Sequence, residues 1–294
     1  FEKTYDYTTA DPYYGEALEI AKSLKLKEEI ATLKYAVGVE NELSGNYIAA
    51  LDYYNQALSD ANEHNFRLIE LQTKNSMGNC FNKQYHFSTA KTYYHQALDV
   101  ADQDPALEKA SSFSVSNLGE VALKLKQYDS AVFYYSKALE ISTKHHDTTK
   151  IKWLLNNLGN VYLETKDYEK AIHYFEKSLA LAEEEKIDDE VKRACKHIAQ
   201  AYDGLNNFEM ASIYKSKYIH QTELLETTQA ELQKKNAQYQ MKEVKWQREL
   251  QASNEKIRVF KIQSGWFQGG IVILSLILIF ISYHTRRFYL KVSR

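Results

Sequence analysis

An alanine followed by an aromatic pair recurs along this chain at a nearly fixed interval. That period constrains the fold more than any other feature. The alanines are Ala10, Ala50, Ala90, Ala131, Ala171 and Ala211, spaced by 40, 40, 41, 40 and 40 residues. The pair reads Tyr13-Tyr14, Tyr53-Tyr54, Tyr93-Tyr94 and Tyr134-Tyr135, then Tyr174-Phe175, then Tyr214 alone. Another aromatic precedes each alanine at Tyr7, Tyr47, Tyr85, Tyr128, Tyr168 and Phe208, a series that reads as slipping by two residues at Tyr85. Twelve residues before each alanine from the second onward stands Gly38, Gly78, Gly119, Gly159 and finally Ala199. Self-similarity at such a period marks an array of small supersecondary units.

The unit is a helical hairpin. Glycine inside a helix costs about 1 kcal/mol relative to alanine, so a glycine kept in register lets another element come close. The alanines are the expected small partners on the facing helix, with the aromatic pair filling the gap between successive hairpins. A hairpin of this kind buries its apolar face only by stacking on the next. The register places a lone second helix in residues 1–24 and full hairpins at about 25–63, 65–103, 105–145, 147–186 and 188–225. Asp11-Pro12 and Asp104-Pro105 read as caps followed by proline at the first helical position. Two prolines and ten glycines in 294 residues suit a helical protein with little strand.

The motif Leu158-Gly159, Tyr162, Ala171, Phe175 and, less well, Ser178 resembles the signature of the tetratricopeptide repeat (TPR) family. That family's usual period is about 34 residues. The period here, without the closing proline, is similar to the longer-helix variant of several peptide-binding TPR proteins. The resemblance implies an all-α TPR-type solenoid whose first helices line a concave face, with the positions three before and one after the glycine pointing into it. Those are Tyr35 and Val39, Asn75 and Asn79, Ser116 and Glu120, Asn156 and Asn160, Lys196 and Gln200. Asn82, Lys83, Lys124 and Asp203 lie further along, with Gln72 and Trp153 at the front edge. Asparagine both donates and accepts, so a ladder of them can clamp an extended peptide backbone. The expected peptide-binding set is Asn75, Asn79, Asn82, Lys83, Glu120, Lys124, Trp153, Asn156, Asn160, Lys196 and Gln200. The alternative is polar surface facing water.

After residue 225 the repeat gives way to a long helix, residues 226–263. Leu225, Leu232, Tyr239, Trp246 and Phe260 share a heptad line broken by Ser253; the companion line is Thr222, Gln229, Asn236, Glu243, Leu250 and Ile257. This reads as a weak parallel dimer through residues 225–260, with packing back onto the last hairpin as the alternative. Between Lys261 and Arg286 there is no charged residue, and Trp266 and Tyr283 stand at the ends of the apolar run. Residues 264–285 are therefore expected to cross the membrane once, and 286–294 form a short basic tail. The basic density of Arg286, Arg287, Lys291 and Arg294 favours a cytoplasmic C-terminus, with the repeats outside the cytoplasm.

The net charge of −2 hides an asymmetry. Residues 234–261 hold eight Lys/Arg against three Glu, and the tail holds four Lys/Arg, which leaves −11 on residues 1–233. An acidic solenoid is not a nucleic-acid binder in its main body. No phosphate loop, His-Glu-x-x-His or Cys-x-x-Cys is present, so neither an enzyme nor a cofactor is expected. Cys80 and Cys195 read as small helix residues. His145-His146 reads as a solvated turn, with no third metal ligand nearby. The chain begins at Phe1, either after a removed leader or as an excerpt of a longer protein. Its arrangement resembles the sensory half of a bacterial membrane-bound TPR regulator, which binds a peptide or protein in the groove and relays that event to an output domain. The alternative is a tail-anchored cytosolic TPR scaffold that assembles partners at a membrane.

Overall fold

The computed structural model describes residues 11–263 and 278–282. Among these residues there is no strand. The helices are α1 (Asp11–Ser23), α2 (Lys27–Leu43), α3 (Tyr47–His64), α4 (Arg67–Lys83), α5 (Phe87–Asp102), α6 (Glu108–Lys124), α7 (Tyr128–Lys144), α8 (Thr148–Glu164), α9 (Tyr168–Glu184), α10 (Asp188–Gly204) and α11 (Phe208–Gln263). Hairpins α2–α3, α4–α5, α6–α7, α8–α9 and α10 with the start of α11 follow the lone helix α1. The chain forms two compact units, residues 1–223 and residues 224–294. The first is an all-α solenoid of TPR type.

Nearly every helix stops in the same way. A single residue turns left-handed at Lys25, Gly45, Asn65, Tyr85, Lys126, His146, Lys166, Lys186 and Asn206. The next N–H then reaches the carbonyl five residues back, as in His86 to Phe81 and Asp167 to Tyr162, both 2.9 Å. This satisfies carbonyls that the helix end would otherwise leave bare. The α5–α6 connection differs, because Asp104 caps a short 3-10 turn at Pro105–Leu107, accepting from the Ala106 N–H at 3.0 Å. The cap-plus-proline expectation holds there.

Tyr85 therefore belongs to a turn and not to the aromatic series. Phe87 opens α5 as Tyr47, Tyr128, Tyr168 and Phe208 open their helices. The register does not slip.

The aromatic pair sits elsewhere than the sequence suggested. Its second ring lies within its own hairpin, over the glycine of the first helix. A Cβ on Gly38, Gly78 or Gly159 would stand 2.5 Å from the ring of Tyr54, Tyr94 or Phe175, and one on Gly119 would stand 2.9 Å from Tyr135. All four rings are fully buried. The glycines thus make room for rings rather than for the alanines. The first ring of the pair stacks on the aromatic three residues after the glycine: Tyr93 on Phe81 and Tyr174 on Tyr162, with centroids 5.4 Å apart. Tyr214 takes this first position on Tyr202. In the last hairpin Ala199 replaces the glycine, and Lys215 replaces the ring, turning outward to pair with Asp203 at 2.8 Å. The two changes match each other.

Successive hairpins are joined by the Tyr168 ring, which lies against Gly204, and by an ion cluster. Lys152 on α8 is 1% exposed and pairs with Glu185 and, at 3.1 Å, with Glu190. Burial disfavours its ammonium, but the two carboxylates outweigh that and hold its pKa above the usual lysine range. Cys80 and Cys195 are buried, free thiols; burial pushes Cys80 up to about 12, where it is unreactive.

In the second unit, α11 continues to Gln263 with most side chains exposed. Among the described residues no helix is long and apolar enough to cross a membrane. The expected span of residues 264–285 lies outside the described residues apart from 278–282, which are helical.

Candidate functional site: the wall of first helices

First helices of neighbouring hairpins touch one another, α2 with α4, α4 with α6 and α8 with α10, so they form the inner wall of the solenoid. Their approach is closest between α4 and α6 and loosest between α6 and α8. The wall divides chemically along the same line.

Its N-terminal half is bonded to itself. Asn75 Oδ1 accepts from Ser114 Oγ and Asn117 Nδ2, both at 3.1 Å. Asn79 Oδ1 accepts from the same Asn117 amide and from the Tyr94 hydroxyl, both at 2.9 Å. Asn82 donates to Glu120 at 3.3 Å and accepts from Lys124 at 3.0 Å, while Lys124 pairs with Glu120 at 2.8 Å. Five expected ligand contacts, Asn75, Asn79, Asn82, Glu120 and Lys124, thus knit α4 to α6. Lys83 is exposed. It bears on Glu42, whose carboxyl is raised by burial against the opposing hydrogen bond from Tyr54 and the charge of Lys83.

The position three before the glycine is an inside position at α6 and α8. Ser116 is fully buried, and Asn156, 7% exposed, donates to the Lys152 carbonyl and to Ser178 on α9. Ser116 donates to the Phe113 carbonyl of its own helix, and Asn156 faces its own hairpin. The residue two before the glycine lines the wall instead, as Asn117 and Asn157. Sequence reasoning passed over it, although the repeat aligns these two asparagines.

The C-terminal half is open. Among the described residues the side chains of Asn160, Lys196 and Gln200 have no hydrogen-bond or ion-pair partner. Lys196 and Gln200 are exposed and Asn160 is half-buried. His197, next to Lys196 on α10, packs its ring 5.0 Å from Phe175 on α9. Burial, with the charges of Lys196 and Arg193, lowers its pKa to about 4.

Six residues before the glycine stand Phe113 on α6 and Trp153 on α8, both exposed. Trp153 meets Tyr135 edge-on at 6.0 Å. The Lys150 ammonium lies between them, 4.0 Å from the Phe113 centroid and 4.9 Å from that of Trp153. Burial pushes this lysine down to about 8, against the pull of Asp147 and Glu120. The sequence marked Trp153 but neither Phe113 nor Lys150, which meet only across α6 and α8.

The sequence profile of the tetratricopeptide repeat family matches residues 108–184 and 150–218. Over 104 residues the chain is 31% identical to cell division cycle protein 27 homolog A of Arabidopsis thaliana, 34% of this chain and 14% of that protein. The chain thus spans about a seventh of the length of that curated relative. Among solved structures it is similar to BtubC (BKLC) of P. vanneervenii, with TM-score 0.69 and 16% identity over 76% of this chain and 93% of that one. It is also similar to a Rap protein complexed with competence and sporulation factor, with TM-score 0.58 and 16% identity over 76% and 72%. At these identities the structural likeness speaks to fold alone. Repeat register and family match agree that residues 108–218 carry tetratricopeptide repeats, and the structural likeness extends that fold along the solenoid.

Proposed function

We propose that this chain works by binding rather than by catalysis, taking an extended peptide or protein segment along the C-terminal half of its inner wall. The observation that carries this reading is the contrast within the wall. The α4–α6 polar groups are already satisfied by one another, whereas Asn160, Lys196 and Gln200 stand open on α8 and α10, and the exposed rings of Phe113 and Trp153 lie on the first helices α6 and α8. Polar groups free to bond, next to exposed aromatic surface, are what a recognition surface offers. The complex of the Rap protein with competence and sporulation factor is one case of this fold holding a partner.

The uncharged run between Lys261 and Arg286 supports a single membrane anchor over residues 264–285. The basic tail supports a cytoplasmic C-terminus and repeats outside the cytoplasm. The heptad line from Leu225 to Phe260 supports pairing of neighbouring chains through residues 225–260. A ligand in the groove would then bias that pairing and relay its presence across the membrane, which requires two states that it binds unequally.

The test is a photo-crosslinking residue at Asn160 of the full chain in its native membrane, with a second placed at Lys137 on the outer helix α7. A discrete adduct from position 160 and none from 137 is expected. Adducts from 137 alone would place recognition on the outer surface. Carbonate extraction of the same membranes tests the anchor, because release of the full chain would remove it.

A further inference from the structure

The Phe113–Lys150–Trp153 cluster has chemistry that a plain groove does not need. Lys150 Nζ is held by two ring faces, each within cation–π range, yet no carboxylate of the described residues lies within ion-pairing distance of it. Asp147 on its own helix and Glu120 on α6 act on it only from further away. Asp147 is already engaged, accepting from the Lys150 backbone N–H at 3.0 Å. Partly desolvated cations in folded proteins normally have a counter-ion. Two further cations stand on the neighbouring first helix α10. Lys196 is exposed, and Arg193 reaches Glu190 only at 3.9 Å.

Resting on the groove reading above, we propose that Lys150, flanked by Phe113 and Trp153, anchors an acidic side chain of the ligand, with an apolar residue beside that acid packing on the exposed rings. The cluster lies on α6 and α8, with α4 on one side and α10 on the other. A threaded segment passes through this point rather than ending there, which favours an aspartate or glutamate side chain over a terminal carboxylate. Each partner supplies what the other lacks, a carboxylate for the ammonium and an apolar face for the two rings.

Trp153 is the sole tryptophan of residues 1–223, so it can report binding. The full chain in detergent, bearing Trp246→Phe and Trp266→Phe, is titrated with three heptapeptides and followed by Trp153 fluorescence. The first, acetylated and amidated, contains phenylalanine followed by aspartate. The second replaces the aspartate with asparagine. The third keeps that asparagine but has a free terminal carboxylate. The aspartate peptide is expected to bind at least about tenfold more tightly than the other two, as one charge-assisted bond supplies. Lys150→Met, which keeps the apolar stem, should erase that preference, and Lys137→Met should preserve it. Four results overturn the proposal: equal binding of aspartate and asparagine peptides, a preference that survives Lys150→Met, equal success of the free carboxylate, or no binding of any peptide up to about 1 mM. If the asparagine peptide binds and is weakened by Asn160→Ala while Lys150→Met changes nothing, the groove stands and the acidic anchor falls.

Discussion

The ring of Phe175 on α9 occupies the space that a side chain at Gly159 on α8 would fill, with its Cε1 2.5 Å from where that Cβ would stand. The same relation joins Gly38 to Tyr54, Gly78 to Tyr94 and Gly119 to Tyr135. It fails only where both partners have changed, at Ala199 and Lys215. Glycine and ring are one unit of the repeat.

Gly159→Ala should therefore destabilise the repeats by roughly 2–3 kcal/mol, because a buried ring cannot yield without overpacking its neighbours. Adding Phe175→Leu should recover part of that loss, although Phe175→Leu alone destabilises. Thermal melts of the four chains form a double-mutant cycle. Strictly additive losses would show that the glycine is there for some other reason.

The ion cluster makes a different prediction. Lys152→Ala removes a buried cation, leaves Glu185 and Glu190 without it and opens a cavity, so a loss of about 2–4 kcal/mol is expected. Lys152→Met fills the same volume without the charge and should cost clearly less. Chemical denaturation of both variants decides the ranking; a methionine variant as damaged as the alanine one would contradict it.

His197 sets a pH dependence. Its folded-state pKa of about 4 lies below the ordinary value of 6.5, so the neutral ring is the one the fold accommodates. The stability it contributes is fully present above pH 6.5 and is lost as pH falls from 6.5 toward 4. Discounted for partial exposure, the loss is about 1–2 kcal/mol. His197→Gln should flatten that part of the melting-temperature profile relative to the parent chain, leaving only the carboxylate titrations common to both. Superimposable profiles would remove the assignment.

The turns supply a gain. Lys126 and Lys166 take the left-handed conformation without being glycine, which disfavours them by about 1–2 kcal/mol. Glycine removes that strain and costs somewhat more chain entropy on folding. Lys166→Gly should raise stability by roughly 0.5 kcal/mol, seen as a small rise in melting temperature.

Much of this fold was legible from a few residues. Ala50, Ala90, Ala131 and Ala171 with their glycines fixed the hairpins, because the tight packing of the two helices leaves a small residue in register at every repeat. Spacing could not say which side chain each glycine admits. Ring and alanine share one helix, and only the packed structure shows the ring of Phe175 turned inward over Gly159. The slip read at Tyr85 came from choosing a tyrosine over Phe87; a turn accepted the aromatic because its left-handed position tolerates more than glycine. The candidate site was half legible. Asn160, Lys196 and Gln200 face outward as a uniform register implies, but the helices do not approach one another uniformly. Where α4 and α6 close up, Asn75, Asn79 and Asn82 bond across the gap. At α8, Asn156 turns into its own hairpin and meets Ser178. Lys150 left no mark in the register at all, since its position is set by two rings on different helices.

In the proposed function the open half of the wall binds, while the closed half holds the repeats together. The most direct test of that reading is calorimetry of the partner crosslinked at position 160, titrated into two double variants. Asn160→Ala with Gln200→Ala should weaken binding by roughly one to two orders of magnitude while leaving the melting temperature within a degree or so of the parent chain. Asn79→Ala with Asn117→Ala should instead lower the melting temperature by several degrees, since it strands the Tyr94 hydroxyl and the α4–α6 bonds. Unchanged affinity in the Asn160 and Gln200 variant would contradict the account.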